Sequence, residues 1–226
     1  MKKIISIIFI CLLCFCMVGC NEEETETNIT IDTPINIEST ELKKLVSVQD
    51  LGFIGGEYNR GLLLFKISNN NSKAVTVTIN VEYFDSNGMK IDSSEVNVRV
   101  SSNRGAYGLI RMYEEKSPFS TYKYDFSVKS LENYDNIYSN VNVYYSNSNG
   151  KINIKTTNNS SRVTTATVFV IFYNSGKIVD VKDYKEYDVT SGNSKTGSVD
   201  YPMQTAKSKM SFNRVDVVLN EVTNEL

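Results

Sequence analysis

Two short stretches hold side chains at spacings that could do chemistry. Ser120-Thr121-Tyr122-Lys123 sets a lysine three residues after a serine, and Lys195-Thr196-Gly197 follows further along the chain. A serine whose Oγ meets such a lysine amine is a nucleophile for acyl transfer, with a K-T-G stretch completing the site. That chemistry needs the serine at the start of a buried helix, where the two side chains face each other one turn apart. Lys123 instead sits in an alternating run, Tyr122/Tyr124/Phe126, that turns it outward, and no convincing S-x-N element lies between the two stretches. Glycoside hydrolysis would need a carboxyl held in a buried position to raise its pKa, and no acidic residue is expected at an inward strand position. A cell-envelope hydrolase or acyl transferase, built on an acidic pair or on Ser120, Lys123 and Lys195, is therefore the secondary reading. No catalytic residue is assigned.

Composition narrows the remaining chemistry. The 226 residues contain no histidine, and all four cysteines fall within the first twenty positions. Histidine-based catalysis, a histidine metal site and a disulfide framework are thereby excluded, and no cofactor is expected. With 24 basic and 26 acidic residues, the chain lacks the positive charge that would suggest nucleic acid as a partner. Asp85-Ser86-Asn87-Gly88 can be read as the start of a calcium loop, but Met89 and Lys90 break the ligand spacing, so no metal site is assigned.

The N-terminus carries an address. Lys2 and Lys3 precede an apolar run from Ile4 to Val18, broken by Ser6, that ends at Gly19-Cys20. The run is short for a bilayer span and fits a secretory leader. Met17-Val18-Gly19-Cys20 resembles the lipobox of bacterial lipoproteins, with Met where leucine is usual. The resemblance implies a signal peptide over residues 1–19, cleavage before Cys20, and a lipid on Cys20. The localisation expected is the extracytoplasmic face of the cell membrane, held by that lipid. Residues 20–40, opening on Glu22, Glu23, Glu24 and Glu26, read as an acidic and polar tether.

Beyond the tether the chain repeats. Residues 66–86 align without gaps to residues 155–175, with Lys66, Asn69, Asn70, Ser72, Thr76, Thr78, Val81 and Ser86 identical to their counterparts. A unit this long corresponds to a small domain and not to a solenoid repeat. Inside each copy the period is two: Val75/Val77/Ile79/Val81/Tyr83 in the first, Ala166/Val168/Val170/Phe172 in the second. Such alternation marks half-buried antiparallel strands, and Asn87-Gly88, Asn149-Gly150 and Ser175-Gly176 mark their turns. The fold class expected is all-β: two tandem Ig-like antiparallel β-sandwiches, over residues 41–131 and 132–226, after a signal peptide and a disordered tether. Residues 41–51 place Leu42, Leu45, Val46 and Gln49 at helical spacing, yet their counterpart around Val141 reads as strand; residues 130–140 read as a linker with one turn of helix around Leu131, Tyr134 and Tyr138.

Phe65-Lys66-Ile67-Ser68-Asn69-Asn70 leading to Tyr83-Phe84-Asp85-Ser86-Asn87-Gly88, echoed by Asn158-Asn159 and Phe172-Tyr173-Asn174-Ser175-Gly176, resembles the FxLYD family. That family is a small Ig-like module of bacterial extracytoplasmic proteins. The resemblance implies an Ig-like sandwich and transfers no catalytic residues.

One difference between the copies bears on function. The outward positions of the central strand are Thr76, Thr78, Asn80 and Glu82 in the first copy. In the second they are Thr165, Thr167, Phe169 and Ile171, followed by Tyr173. A solvent face that turns apolar must be covered, either by the other domain or by a partner. Phe169, Ile171 and Tyr173 are thus the candidate partner-docking face, for an envelope protein or a wall polymer. The tyrosines Tyr144, Tyr145, Tyr184, Tyr187 and Tyr201 could offer platforms to sugars, though tyrosine is also an ordinary strand residue.

Overall fold

The alternating segments form fourteen strands in the computed structural model, which describes residues 37–56, 61–112, 119–132, 134 and 137–224. The leader, Cys20 and the tether as far as residue 36 lie outside the described residues. In the first lobe, strands β1 (Val46–Ile54), β2 (Leu62–Asn69) and β5 (Arg104–Arg111) make sheet A in the order β1-β2-β5. Strands β3 (Val75–Phe84), β4 (Lys90–Val100) and β6 (Thr121–Ser130) make sheet B in the order β4-β3-β6. Every pairing is antiparallel.

The second lobe repeats this plan strand for strand. Strands β7 (Val141–Ser148), β8 (Lys151–Asn158) and β11 (Ser194–Asp200) make sheet C in the order β11-β8-β7. Strands β9 (Thr164–Asn174), β10 (Lys177–Val189) and β14 (Arg214–Asn224) make sheet D in the order β10-β9-β14. A short ribbon, β12 (Met203–Thr205) with β13 (Ser208–Lys209), is inserted before β14. Each lobe is an antiparallel β-sandwich whose chain passes between two sheets as in Ig-like domains.

The core of each sandwich lies where the alternation places it. Val75, Val77, Ile79, Val81 and Tyr83 point inward from β3, against Phe65, Ile67 and Ala106 of sheet A. Ala166, Val168, Val170 and Phe172 do the same from β9, against Ile152 and Ile154. The hairpin turns use left-handed backbone where the sequence supplies small or amide residues. Asn149 and Gly150 have φ of 51° and 78°, and Ser175 and Gly176 have φ of 50° and 80°. Two consecutive positive φ values define the tight turn that matches strand twist.

The two identical asparagines of the repeat have a shared structural task. Asn69 is fully buried and its Nδ2 donates to the carbonyls of Lys73, Val100 and Ser101 at 3.0–3.2 Å, while its Oδ1 accepts from the Asn71 N–H. Asn158 is fully buried and donates to the carbonyls of Arg162 and Val189, both at 2.7 Å, while its Oδ1 accepts from the Ser160 N–H and hydroxyl. Each side chain ties the turn after one strand of the first sheet to the end of a strand in the facing sheet. Buried amides of this kind hold register because every polar group they meet would otherwise be orphaned.

Two expectations need correction. The helix, α1 (Ile37–Lys44), begins inside the segment read as tether and ends before Val46. Residues read at helical spacing over 41–51 belong instead mostly to β1, because Val46 to Asp50 pair with Asn69 to Phe65 and the ladder overrides local periodicity. Leu42 is buried and its carbonyl accepts from Asn71 Nδ2 at 3.1 Å, while Leu45 is half exposed. Between the lobes, a 3-10 turn covers Tyr138–Asn140. Second, the expectation of no inward acid fails at Asp180, which is buried on β10. A break in register between Ile178 and Asp180 shifts the alternation there.

Candidate functional site

The structure places the candidate docking face inside the molecule. Phe169 is 6% exposed and Ile171 is 0% exposed, and with Val181 they pack against Ile54, Leu62 and Leu64 of sheet A. Tyr173 is half-buried at the border of the same cluster, with the Arg214 guanidinium 3.8 Å from its ring centroid. The Phe169 ring stacks on Tyr107, centroids 6.3 Å apart and planes at 25°. The apolar outer face of β9 is thus a contact between lobes and not a surface open to a partner. Its complement was legible in β2, where Leu62, Leu63, Leu64 and Phe65 are all buried and the alternation vanishes, as in a strand covered on both sides. Sheet A lies against sheet D, so the four sheets stack in the order B, A, D, C, and Asn36–Leu226 forms one compact unit.

Polar groups fasten the rim of this seam. Strand β14 bulges between Leu219 and Glu221, so Asn220 falls out of the ladder and turns toward the first lobe. Its Oδ1 accepts from the Tyr107 backbone N–H at 2.6 Å, and its Nδ2 donates to the Tyr107 carbonyl at 3.1 Å. Tyr107 lies on β5, the edge strand of sheet A, so one amide side chain satisfies a backbone pair that the ladder leaves open. Arg111 pairs with Asp183, and Arg99 reaches Glu221 at 3.5 Å. From the connecting segment, the Tyr134 hydroxyl donates to the Val222 carbonyl at 2.6 Å and the Tyr138 hydroxyl donates to that of Leu219.

Glu221 is a carboxyl whose titration this seam perturbs. Burial pushes its carboxyl above its ordinary value, opposed by Arg99 and Lys185. A raised folded pKa means that the folded protein keeps the proton to higher pH than the unfolded chain does. Stability is therefore lost as pH rises from the ordinary carboxylate range through the raised value. Glu221→Gln removes that titration. The melting temperature of the variant, relative to wild type, is expected to climb as pH rises through and above the ordinary carboxylate range. A constant offset across that range would show that Glu221 is not the group responsible.

The residues of the secondary reading are not brought together. Ser120 and Lys123 belong to the first lobe, at and just before the edge strand β6, where Lys123 is exposed with its Nζ 5.1 Å from the Phe84 ring centroid. Lys195 belongs to β11 of the second lobe and donates to the Tyr187 carbonyl at 2.7 Å. Gly197 of the K-T-G stretch has a packing cause: a Cβ there would fall within the Tyr184 phenol, which lies across the strand. At the other sequence candidate, Asp85 Oδ1 accepts from the backbone N–H groups of Asn87 and Met89 at 2.9 and 2.8 Å, as in a hairpin turn.

What remains open to solvent is the outer face of sheet B at one end of the stack and of sheet C at the other. Sheet B alternates in sign: Glu82, Glu95 and Asp125 stand among Arg99, Lys123 and Lys129. Sheet C is different. Its rows read Asn142–Thr157–Ser194, then Tyr144–Lys155–Thr196, then Ser146–Asn153–Ser198. With a fourth row, Ser148–Lys151–Asp200, it is an array of hydroxyls and amides around Tyr144, Lys155 and the Lys151–Asp200 ion pair.

No protein-family model matches the chain, and no curated protein does. Among solved structures, the red sea bream transglutaminase is similar at 12% identity and a TM-score of 0.27, over 71% of this chain. The match spans only 27% of the length of that enzyme. A protein of the chaperone–tip adhesin complex of CFA/I fimbriae is similar at 10% identity and a TM-score of 0.19, over 73% of this chain and 91% of that one. The C-terminal globular domain of the Pyrococcus abyssi oligosaccharyltransferase is similar at 7% identity and a TM-score of 0.21, over 80% of this chain and 47% of that one. At such TM-scores none of the three bears on what this chain does.

Proposed function

We propose that the chain is a non-enzymatic, lipid-anchored protein of the extracytoplasmic face of the bacterial membrane, which binds or scaffolds there through two sandwiches of the FxLYD kind. The observation that carries this reading is how the lobes spend their apolar faces. The outer face of sheet A is covered by that of sheet D, leaving one two-lobed body with two polar outer sheets. A body of this sort suits a fixed spacer or platform better than a flexible pair of modules. The anchor rests on Met17-Val18-Gly19-Cys20, and the acidic stretch that follows holds the body off the membrane. Its partner would be another envelope protein or a wall polymer.

The anchor is tested by expressing the full chain and Cys20→Ala in a bacterial host fed an alkyne-bearing fatty acid. Wild type is expected to take the label and enter the detergent phase on Triton X-114 partition. The variant is expected to do neither. A variant that still labels and partitions like wild type would overturn the lipid assignment.

A further inference from the structure

We propose that β7, an edge strand of sheet C, is the surface through which two copies of this chain pair, strand to strand. A sheet edge exposes a row of backbone donors and acceptors, and folded chains blunt such rows with charge, proline, bulges or cover. The four three-stranded sheets have eight edge strands, two to a sheet. Seven of them carry at least one charged side chain. Three are also closed by side chains. The Val48 carbonyl of β1 accepts from the Tyr124 hydroxyl, and Asn220 caps Tyr107 of β5. On β14 the carbonyls of Val215, Leu219 and Val222 accept the hydroxyls of Tyr145, Tyr138 and Tyr134.

Strand β7 is the exception. Val141–Ser148 is uncharged and keeps unbroken register with β8. Its counterpart in the first copy, β1, carries Asp50 and a bulge between Asp50 and Phe53. The Asn149-Gly150 turn closes on Ser148 and Lys151, and the Asn159 N–H donates to the Asn140 carbonyl at 2.7 Å. The even-numbered residues of β7 therefore bond to β8, and the backbone groups of Val141, Val143, Tyr145 and Asn147 face away from the sheet. Among the described residues, β8 is the ladder neighbour of β7 and no other strand lies beyond it. The edge is accessible: Tyr144 is 60% and Tyr145 49% exposed.

What fits such an edge is another strand, and the sequence of β7 fits itself. An antiparallel pairing about a twofold axis at Tyr144 sets Val143 opposite Tyr145 and Val141 opposite Asn147, each pair exchanging both backbone bonds. Tyr144 then meets its own copy in a close pair on the outer face, with Asn142 opposite Ser146 beside it. Aromatic–aromatic and aromatic–β-branched pairs are among those that stabilise strand pairing. No charge on β7 opposes its copy or selects a charged foreign strand. Lys155 lies one strand further in, so its copy stands about 14 Å away, beyond the screening length of about 8 Å. A single shared edge is a small interface, so the pairing is weak and the dilute chain is a monomer. It is a property of the folded body and stands whether or not Cys20 carries a lipid.

Disulfide trapping of the full chain, in neutral detergent micelles and in host envelopes, tests both the partner and the register, with wild type as the baseline. In the twofold pairing the Tyr144 Cα atoms are about 4.5 Å apart, within disulfide reach, whereas the Asn142 Cα atoms are about 14 Å apart. Tyr144→Cys is expected to form dimers at least about tenfold faster than Asn142→Cys or than Tyr187→Cys, an equally exposed tyrosine on β10. Asn142→Cys mixed with Ser146→Cys is expected to give the mixed dimer. Adding Tyr144→Lys to both members should slow that reaction about tenfold, and Lys in one with Glu in the other should restore it. Tyr144→Lys should melt as wild type does, since the side chain is exposed. Equal rates at residues 142, 144 and 187 would mean random encounter and would overturn the proposal. So would Tyr144→Cys chains that are trapped on another envelope protein and not on each other, or a Lys–Glu mixture no faster than Lys with Lys.

Discussion

Ile171→Asp is expected to abolish the folded state of the two-lobed body and not merely to blunt a binding surface. Ile171 is fully buried between the lobes, beside Phe169, Val181, Leu62 and Leu64. Truncating an isoleucine in such a site costs about 2–5 kcal/mol, and leaving an unpaired carboxylate there adds several more. The sum reaches the whole stability of an ordinary domain, about 5–15 kcal/mol. Ile171→Val, which keeps the site apolar, should cost only about 1 kcal/mol. Thermal melts followed by circular dichroism distinguish the two. An Ile171→Asp chain that melts as wild type does would place the face in solvent and return it to its role as a docking surface.

The second large effect is expected at the repeated asparagine. Asn158→Ala removes the side-chain donor to the Val189 carbonyl and the acceptor of the buried Ser160 N–H, while the Arg162 carbonyl keeps only the Ser160 hydroxyl at 3.1 Å. A loss of about 3 kcal/mol follows from leaving such groups without partners. Asn69→Ala should cost the first lobe a similar amount, since Asn69 makes the matching contacts to Lys73, Val100 and Ser101. Asn158→Asp is more informative still. The acid keeps an acceptor for Ser160 but turns a negative charge on two carbonyls, so its pKa in the folded state must rise. The variant is therefore least stable at neutral pH and recovers in part as the carboxyl takes up a proton on acidification. Chemical denaturation of the three variants at neutral and acidic pH checks both claims. Losses below about 0.5 kcal/mol would mean that the asparagines are ordinary surface residues.

The strands were legible because alternation is a local property. Val75 to Tyr83 and Ala166 to Phe172 declare their inward faces without reference to anything distant, and the Asn-Gly and Ser-Gly turns declare the hairpins. The duplication was equally open to inspection. The same residues gave a warning at Phe169 and Ile171, where an outward face turns apolar, yet local pattern cannot say whether the cover comes from within. The four buried residues of β2 held the answer, and only their joint reading with β9 identifies the two faces as each other's cover.

Other features depend on contacts that no short window contains. Asn220 reads as a polar residue in the apolar series Val217, Val218, Leu219 and Val222. Its role follows from a bulge, which frees its side chain to bond the backbone of Tyr107 on β5. Asp180 reaches the interior through another register shift. The helix ahead of β1 was misplaced because residues 46–50 satisfy both a helical spacing and a strand pairing, and the strand wins by its ladder to β2. Asn69 and Asn158 stood out as identities, but an identity records that a residue matters and not what it bonds.

The two sandwiches, each with its own core, are joined by a buried apolar seam and behave as one body. Differential scanning calorimetry of the full chain in detergent tests it most directly. One cooperative transition is expected, with the calorimetric enthalpy equal to the van't Hoff enthalpy, and with Asn220→Ala lowering the midpoint of the whole transition. Two separate transitions, with Asn220→Ala shifting one or neither, would show that the lobes unfold independently and that the seam does not couple them.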